Sequence, residues 1–193
     1  MNKSFWTGKD VILRAFDEGD LVRLAESRKS PDSRREWLYD AIRPPMTEAA
    51  LRKAYSDELF DRAKGSGDRL FSIELKSGEY AGELVVFNTN PSSGVFRQGL
   101  FLEEGLRGKG FGAQALVIAL DYYFNELRYR KSAPYVYAYN PASMRFHEKF
   151  GFVKEAVHRE ERYTRGQYHD TVYYAMFREE FNLAHGRDLW EGR

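Results

Sequence analysis

The 193-residue chain contains no cysteine. Disulfides, cysteine-ligated zinc and a cysteine nucleophile are excluded, so any thiol chemistry has to be carried by a ligand. Long apolar runs are missing as well. The start, MNKSFWTGKD, has no hydrophobic stretch, and no later run approaches the length of a membrane span. The expectation is a cytoplasmic protein without a membrane partner. Neither sign of charge dominates: thirty Lys and Arg face twenty-nine Asp and Glu. That argues against nucleic acid as a ligand, because such binders carry a basic excess. Proline is scarce, and three of the six fall between Ser30 and Thr47, which marks that stretch as irregular. Aromatics are plentiful, with 13 Tyr and 14 Phe; core packing accounts for most of them.

The pattern predicts an α+β chain with one βαβ unit. Val11 to Phe16 reads as a strand, and Asp17 as the N-cap of a helix reaching about Arg28. Thr47 caps a further helix, with Leu51, Ala54, Tyr55 and Leu59 at helical spacing. After Gly65-Ser66-Gly67 the period changes to two: Phe71, Ile73 and Leu75 alternate with polar residues. Lys76 to Glu79 is a hairpin turn leading to a strand from Ala81 to Phe87, and another strand follows from Val95 to Leu102. A Gly-rich loop opens a helix from about Gly110 to Leu127, with Leu116, Ala119, Leu120, Tyr123 and Leu127 on one face. Pro134 to Tyr139 reads as a strand and Pro141 to Phe150 as a helix. Phe152 to Tyr163 and Tyr168 to Phe177 form a hairpin turning at Arg165-Gly166. The expected division is a domain over 1–178 and a polar C-terminal tail over 179–193.

The sharpest local signal is Leu106-Arg107-Gly108-Lys109-Gly110-Phe111-Gly112-Ala113, between a strand and a helix. Alternate glycines let the backbone approach a ligand closely. The helix start adds unpaired N–H groups and a positive dipole end, which suits phosphate or pyrophosphate. A plain helix-capping loop remains the alternative. Lys109 is followed by Gly110 rather than Ser or Thr, so the nucleotide-hydrolase phosphate loop does not fit. G-x-G-x-G also misses the dinucleotide fingerprint.

Arg107-x-x-Gly110-x-Gly112 resembles the pyrophosphate loop of the GNAT N-acetyltransferases. One strand later, Asn140-x-x-Ser143-x-Arg145-x-x-Glu148-Lys149-Phe150-Gly151-Phe152 resembles that superfamily's second acetyl-CoA segment. The closing hairpin, Arg159-Glu160-x-x-Tyr163-x-x-Gly166-x-Tyr168-x-Asp170-x-x-x-Tyr174, is similar to the RimJ/RimL-like branch, which includes ribosomal-protein and spermidine acetyltransferases. The resemblance implies a mixed, mostly antiparallel sheet of about seven strands with a splayed parallel pair and flanking helices. It also implies acetyl-CoA as cosubstrate, direct transfer to a primary amine, and the possibility of a homodimer. A catalytically weak acyl-CoA-binding sensor is the alternative.

On that resemblance Phe101 and Leu102 would hold the pantetheine arm. Arg107, Gly108, Lys109, Gly110, Phe111 and Gly112 would hold the pyrophosphate, and Asn140 and Ser143 the thiol end. Many relatives place a tyrosine acid where this chain has His147; Ser143 is the better acid of the two. The strand carboxylate that relatives use as a base is replaced here by Arg97. Glu83 is the nearest substitute and Glu160 another, while Glu103 and Glu104 sit at the loop mouth. Trp37, Tyr39, Asp40, Tyr168 and Asp170 would suit a cationic amine.

Overall fold

Period-two alternation from Phe71 onward produces the structure it dictates, a sheet with one face against a helix and the other toward a second layer. The computed structural model describes residues 4–27 and 67–191, with Thr47, Ala49, Ala50 and Lys53 between them. The strands are β1 (Val11–Ala15), β2 (Arg69–Leu75), β3 (Tyr80–Asn90), β4 (Val95–Leu102), β5 (Lys131–Ser132), β6 (Tyr135–Tyr137), β7 (Val153–Thr164) and β8 (Gln167–Phe177). The helices are α1 (Glu18–Ser27), α2 (Phe111–Asp121), α3 (Pro141–Phe150) and α4 (Arg178–Glu191). The sheet order is β1-β2-β3-β4-β5-β8-β6, with β7 on β8. All pairings are antiparallel except β4 with β5.

That parallel pair is short, and its brevity makes the site. Val95 and Phe96 pair with Lys131 and Ser132, and the last bond runs from Ala133 N to Phe96 O at 2.8 Å. Pro134 has no N–H to continue the ladder. From there β6 follows β8 instead, Tyr135 opposite Tyr173 and Tyr137 opposite Thr171. The strand expected over Pro134 to Tyr139 is shortened to β6, the two-residue β5 ahead of it was not expected, and β6 diverges from β4 to leave a fork.

Phe96, fully buried, anchors the closed end of the fork on the α2 side. Its ring lies 4.9 Å from Tyr123 and within 5.4 and 5.5 Å of Phe124 and Tyr129. Helix α2 ends in one wide π-type turn, Tyr122–Glu126, in which Leu127 N reaches Tyr122 O. The extra residue rotates Leu127 out of the apolar stripe, leaving it 42% exposed while Leu116, Ala119, Leu120 and Tyr123 stay buried. On the opposite face, α1 is tied down by a reciprocal cap. Asp17 Oδ1 accepts from Asp20 N and Asp20 Oδ2 from Asp17 N, both at 3.1 Å. The buried Asp20 carboxylate also takes both terminal nitrogens of Arg14 (2.7 and 2.8 Å) and the Ser72 hydroxyl (2.6 Å).

Three other expectations have clear outcomes. Arg165 (φ 50°) and Gly166 (φ 81°) form the two-residue turn of the β7–β8 hairpin, as left-handed turns require. Thr47 Oγ1 accepts from Ala50 N at 3.2 Å, while the body of that helix and Trp37, Tyr39 and Asp40 lie outside the described residues. The polar tail expected over 179–193 is helical as far as Glu191, within α4. Phe181 is fully buried against Phe124, and His185 stacks on Phe150 at 4.4 Å and bonds its carbonyl. An apolar residue four positions before an aromatic-compatible His gives a helical seam that polar composition concealed. Among the described residues no helix is long and apolar enough to cross a membrane.

Candidate active site

The fork opens into a cleft of about 1680 Å³, walled by β4 from Gln98 to Leu102, by β6, by the start of α2 and by α3. The loop between β4 and α2 builds one end. Gly108 (φ 75°) and Gly110 (φ 86°) are left-handed, and a Cβ at either would meet nothing within 4 Å. The backbone rather than steric crowding therefore demands glycine there. Gly110 is the N-cap of α2 and no side chain caps the helix, so its first N–H groups remain available to an anion. Gly112 is glycine for another reason: a Cβ there would lie 2.7 Å from Leu100 Cδ2, so close packing of α2 on β4 excludes it. Arg107 folds back, its Nε donating to Leu102 O at 2.9 Å and its guanidinium lying over Phe101. Arg107, Gly108, Gly110 and Gly112 line the cleft together with Phe101 and Leu102, whereas Lys109 and Phe111 flank it.

The other wall is α3. Asn140 is its N-cap, accepting from Ser143 N at 3.0 Å, and Pro141 starts the helix. Asn140, Ser143 and His147 all line the cleft. His147 is 8% exposed, stacked on Tyr174 with Phe152 at its edge. Its Nδ1 lies 2.8 Å from the Ser143 carbonyl oxygen and 3.5 Å from Ser143 Oγ. A carbonyl only accepts, so Nδ1 carries the proton and Nε2 of the neutral ring holds the lone pair. Among the described residues Nε2 has no protein partner. Burial pushes the imidazole below its ordinary value, opposed in part by the Ser143 bond. The neutral ring is accordingly the form present at neutral pH. Beneath it, burial raises the Tyr174 hydroxyl to about 12, helped by its bond to Glu148.

The remaining expected residues lie elsewhere. Glu83 is fully buried, accepts from the Tyr80 hydroxyl at 2.8 Å, and does not line the cleft. Asp170 Oδ1 accepts from Glu160 N at 2.9 Å, which clamps a bulge of β7 where Glu160 has φ 53°. Tyr168 pairs with Tyr163 at the exposed hairpin tip. One residue escaped sequence reasoning altogether. Gln98 is 4% exposed, lines the cleft, and among the described residues neither amide atom has a hydrogen-bond partner. The signal was there: a polar residue in the core-facing series Phe96, Gln98, Leu100, Leu102.

Residues 10–153 match the Acetyltransferase (GNAT) domain family. The chain belongs to that family. It is 32% identical over 186 residues to the SPbeta prophage-derived uncharacterized N-acetyltransferase YokL of Bacillus subtilis, covering 96% of this chain and 100% of that protein. It is 28% identical over 162 residues to spermidine N(1)-acetyltransferase of Vibrio cholerae, covering 83% of this chain and 88% of that one. A solved structure of the Vibrio cholerae spermidine N-acetyltransferase with CoA and spermine superposes with a TM-score of 0.77 at 24% identity, covering 90% and 99% of the two chains.

A GNAT acetyltransferase takes its acetyl group from acetyl-CoA, and the residues present fit that cosubstrate. The uncapped start of α2 and the two open left-handed glycines suit a pyrophosphate. The unsatisfied Gln98 amide offers both a donor and an acceptor to an amide- or carbonyl-bearing arm. Among the described residues there is no His, Asp and Glu cluster able to hold a metal.

Proposed function

We propose that this GNAT enzyme transfers acetyl from acetyl-CoA directly to a primary amine, with His147 taking the amine's proton and Ser143 supplying one to the leaving thiolate. The observation carrying this reading is the fork: an uncapped helix start at one end and a neutral imidazole, with Nε2 unpartnered among the described residues, at the other. Residues 107–112 hold the pyrophosphate, and backbone groups of Phe101 and Leu102 the pantetheine. Asn140 holds Ser143 and the first turn of α3 in place. Acetyl-CoA supplies an activated thioester, so the chain's task is proton handling and placement.

An amine with a pKa near about 10 is mostly protonated at neutral pH. His147 Nε2 accepts a proton there because Nδ1–H is committed to the Ser143 carbonyl, which fixes the tautomer. It thereby fills the place left by the missing strand carboxylate, and Glu83 is released to a supporting role with Tyr80. The closing hairpin supports the RimJ/RimL-like branch, and the likeness to spermidine acetyltransferases puts polyamines among the amines to test.

Calorimetric titration with acetyl-CoA, CoA, ATP and NAD tests the foundation, beside a Gly110→Glu variant. The substitution places a carboxylate at the anion site on a left-handed backbone. Selective CoA binding, weakened at least tenfold in the variant, is the expected result. Equal binding of ATP or NAD, or none of CoA, would overturn the reading.

A further inference from the structure

Arg97 lies on β4 next to Gln98, where the wall of the cleft begins, and is not itself part of that wall. In β4, Phe96 packs on α2, so Arg97 projects to the opposite face, the one carrying Ser72 and α1. Along that face the next β4 position is Gly99, where an added Cβ would touch only Val85. No β4 side chain therefore separates the fork from the guanidinium. The guanidinium lies over two rings, 5.4 Å from the centroid of Tyr135 and 5.9 Å from that of Tyr173. Tyr135 itself lines the cleft.

The guanidinium is half-buried, and among the described residues no carboxylate forms an ion pair with it. The nearby acids are committed elsewhere. Glu161 accepts from the Tyr173 hydroxyl at 3.0 Å through both oxygens and pairs with His158 Nδ1 at 2.9 Å. Glu83, further along the same face, accepts from Tyr80. A guanidinium stays charged at any working pH, and its N–H fork matches a carboxylate through two parallel bonds. A partly desolvated, ring-braced cation with no ion-paired carboxylate among the described residues is a site for an anion. The same cation also covers the faces of Tyr135 and Tyr173, which would otherwise serve a second ammonium group of a polyamine.

Building on the acetyltransferase reading, we infer that the acceptor is an amine with a carboxylate a few bonds from the nitrogen, and that Arg97 binds that carboxylate. The residue thereby selects amino-acid-like acceptors and disfavours polyamines. The amine and the carboxylate of one small molecule then bridge the fork and the Arg97 guanidinium.

The test uses the full chain, Arg97→Gln and Arg97→Lys. Amino acids, their carboxamides and spermidine are offered with saturating acetyl-CoA, and products are followed by mass. Acids should be used at least tenfold better in kcat/KM than the matching amides, with spermidine poorer still. Arg97→Gln should erase the preference and Arg97→Lys should retain part of it. A second readout needs no turnover: in the CoA-bound protein, N-acetylated amino acids should raise Tm more than their amides, and Arg97→Gln should abolish the difference. Amides equal to acids in both readouts, spermidine as the best acceptor, or an unchanged preference in Arg97→Gln overturns the inference. A CoA titration of each protein separates the levels. If CoA binds while the acid preference is absent, only the Arg97 inference fails; if CoA does not bind the wild type, the parent reading fails.

Discussion

Replacing His147 by phenylalanine separates its packing from its chemistry. The ring is 8% exposed between Tyr174, Phe146 and Phe152, so an aromatic of similar size keeps those contacts. What disappears from the fold is one hydrogen bond, Nδ1–H to the Ser143 carbonyl. That carbonyl remains in a helix, so the loss should be about 1 kcal/mol, or roughly 2–4 °C in Tm for a domain of this size. Proton transfer is a larger matter. Removing a general base costs on the order of 10²- to 10⁴-fold in rate, roughly 3–5 kcal/mol of barrier. The affinity for CoA should stay within about threefold, since the ring touches the cleft and not the anion loop. Thermal melts, stopped assays of kcat and KM, and CoA titration read the three quantities.

The pH profile gives an independent handle. Burial holds the folded imidazole below its ordinary value of about 6.5, so Nε2 stays available through neutral pH. The wild-type rate should therefore fall only below pH 6.5, and His147→Phe should lack that limb. Stability follows with a definite sign. Below about 6.5 the unfolded chain takes up the proton before the folded one does, so wild-type stability declines as pH drops toward the folded pKa. A phenylalanine variant with kcat within threefold of wild type, or with the acid limb intact, would refute the assignment.

Gln98→Leu should stabilise the free protein by about 1–2 kcal/mol in urea unfolding, because it removes a buried amide without partners. It should also weaken acetyl-CoA several-fold, and unchanged affinity would show that the amide does not serve the ligand. Asp20→Ala removes the partner of both Arg14 terminal nitrogens and of the buried Ser72 hydroxyl while Arg14 keeps Glu74, and should cost about 1–3 kcal/mol. Burial alone would raise the Asp20 pKa, but the Arg14 and Ser72 bonds outweigh it and hold it below 3.8. Its contribution is therefore present above that value and lost as pH falls through the lower folded pKa, which an acid titration of wild type and variant would display. Phe96→Ala, at the closed end of the fork, should cost about 3–5 kcal/mol; a loss under 1 kcal/mol would mean the aromatic cluster collapses onto the gap.

Much of this molecule was legible in the sequence because local rules decide it. Period-two alternation marks β2, the Asp17 and Asn140 caps start their helices where expected, and Arg165-Gly166 turns the last hairpin. The Gly108–Gly110 loop follows from backbone freedom and a helix start, both local properties. The C-terminal helix was missed because its apolar seam is thin: Phe181 and His185 gain their meaning only against Phe124 and Phe150. The charge state of His147 is likewise a tertiary fact, since composition says nothing of burial beside Tyr174 or of which nitrogen meets a carbonyl. So is the lack, among the described residues, of a carboxylate paired with Arg97, since Glu83 and Glu161 are bonded to tyrosines and a histidine instead. Sequence alone placed a Gly-rich loop between a strand and a helix start, and the fork came with the family resemblance rather than from the residues themselves. Only the packing of β6 away from β4 after Pro134 decided which side chains face the cleft, because desolvation and hydrogen-bond partners are properties of neighbours in space.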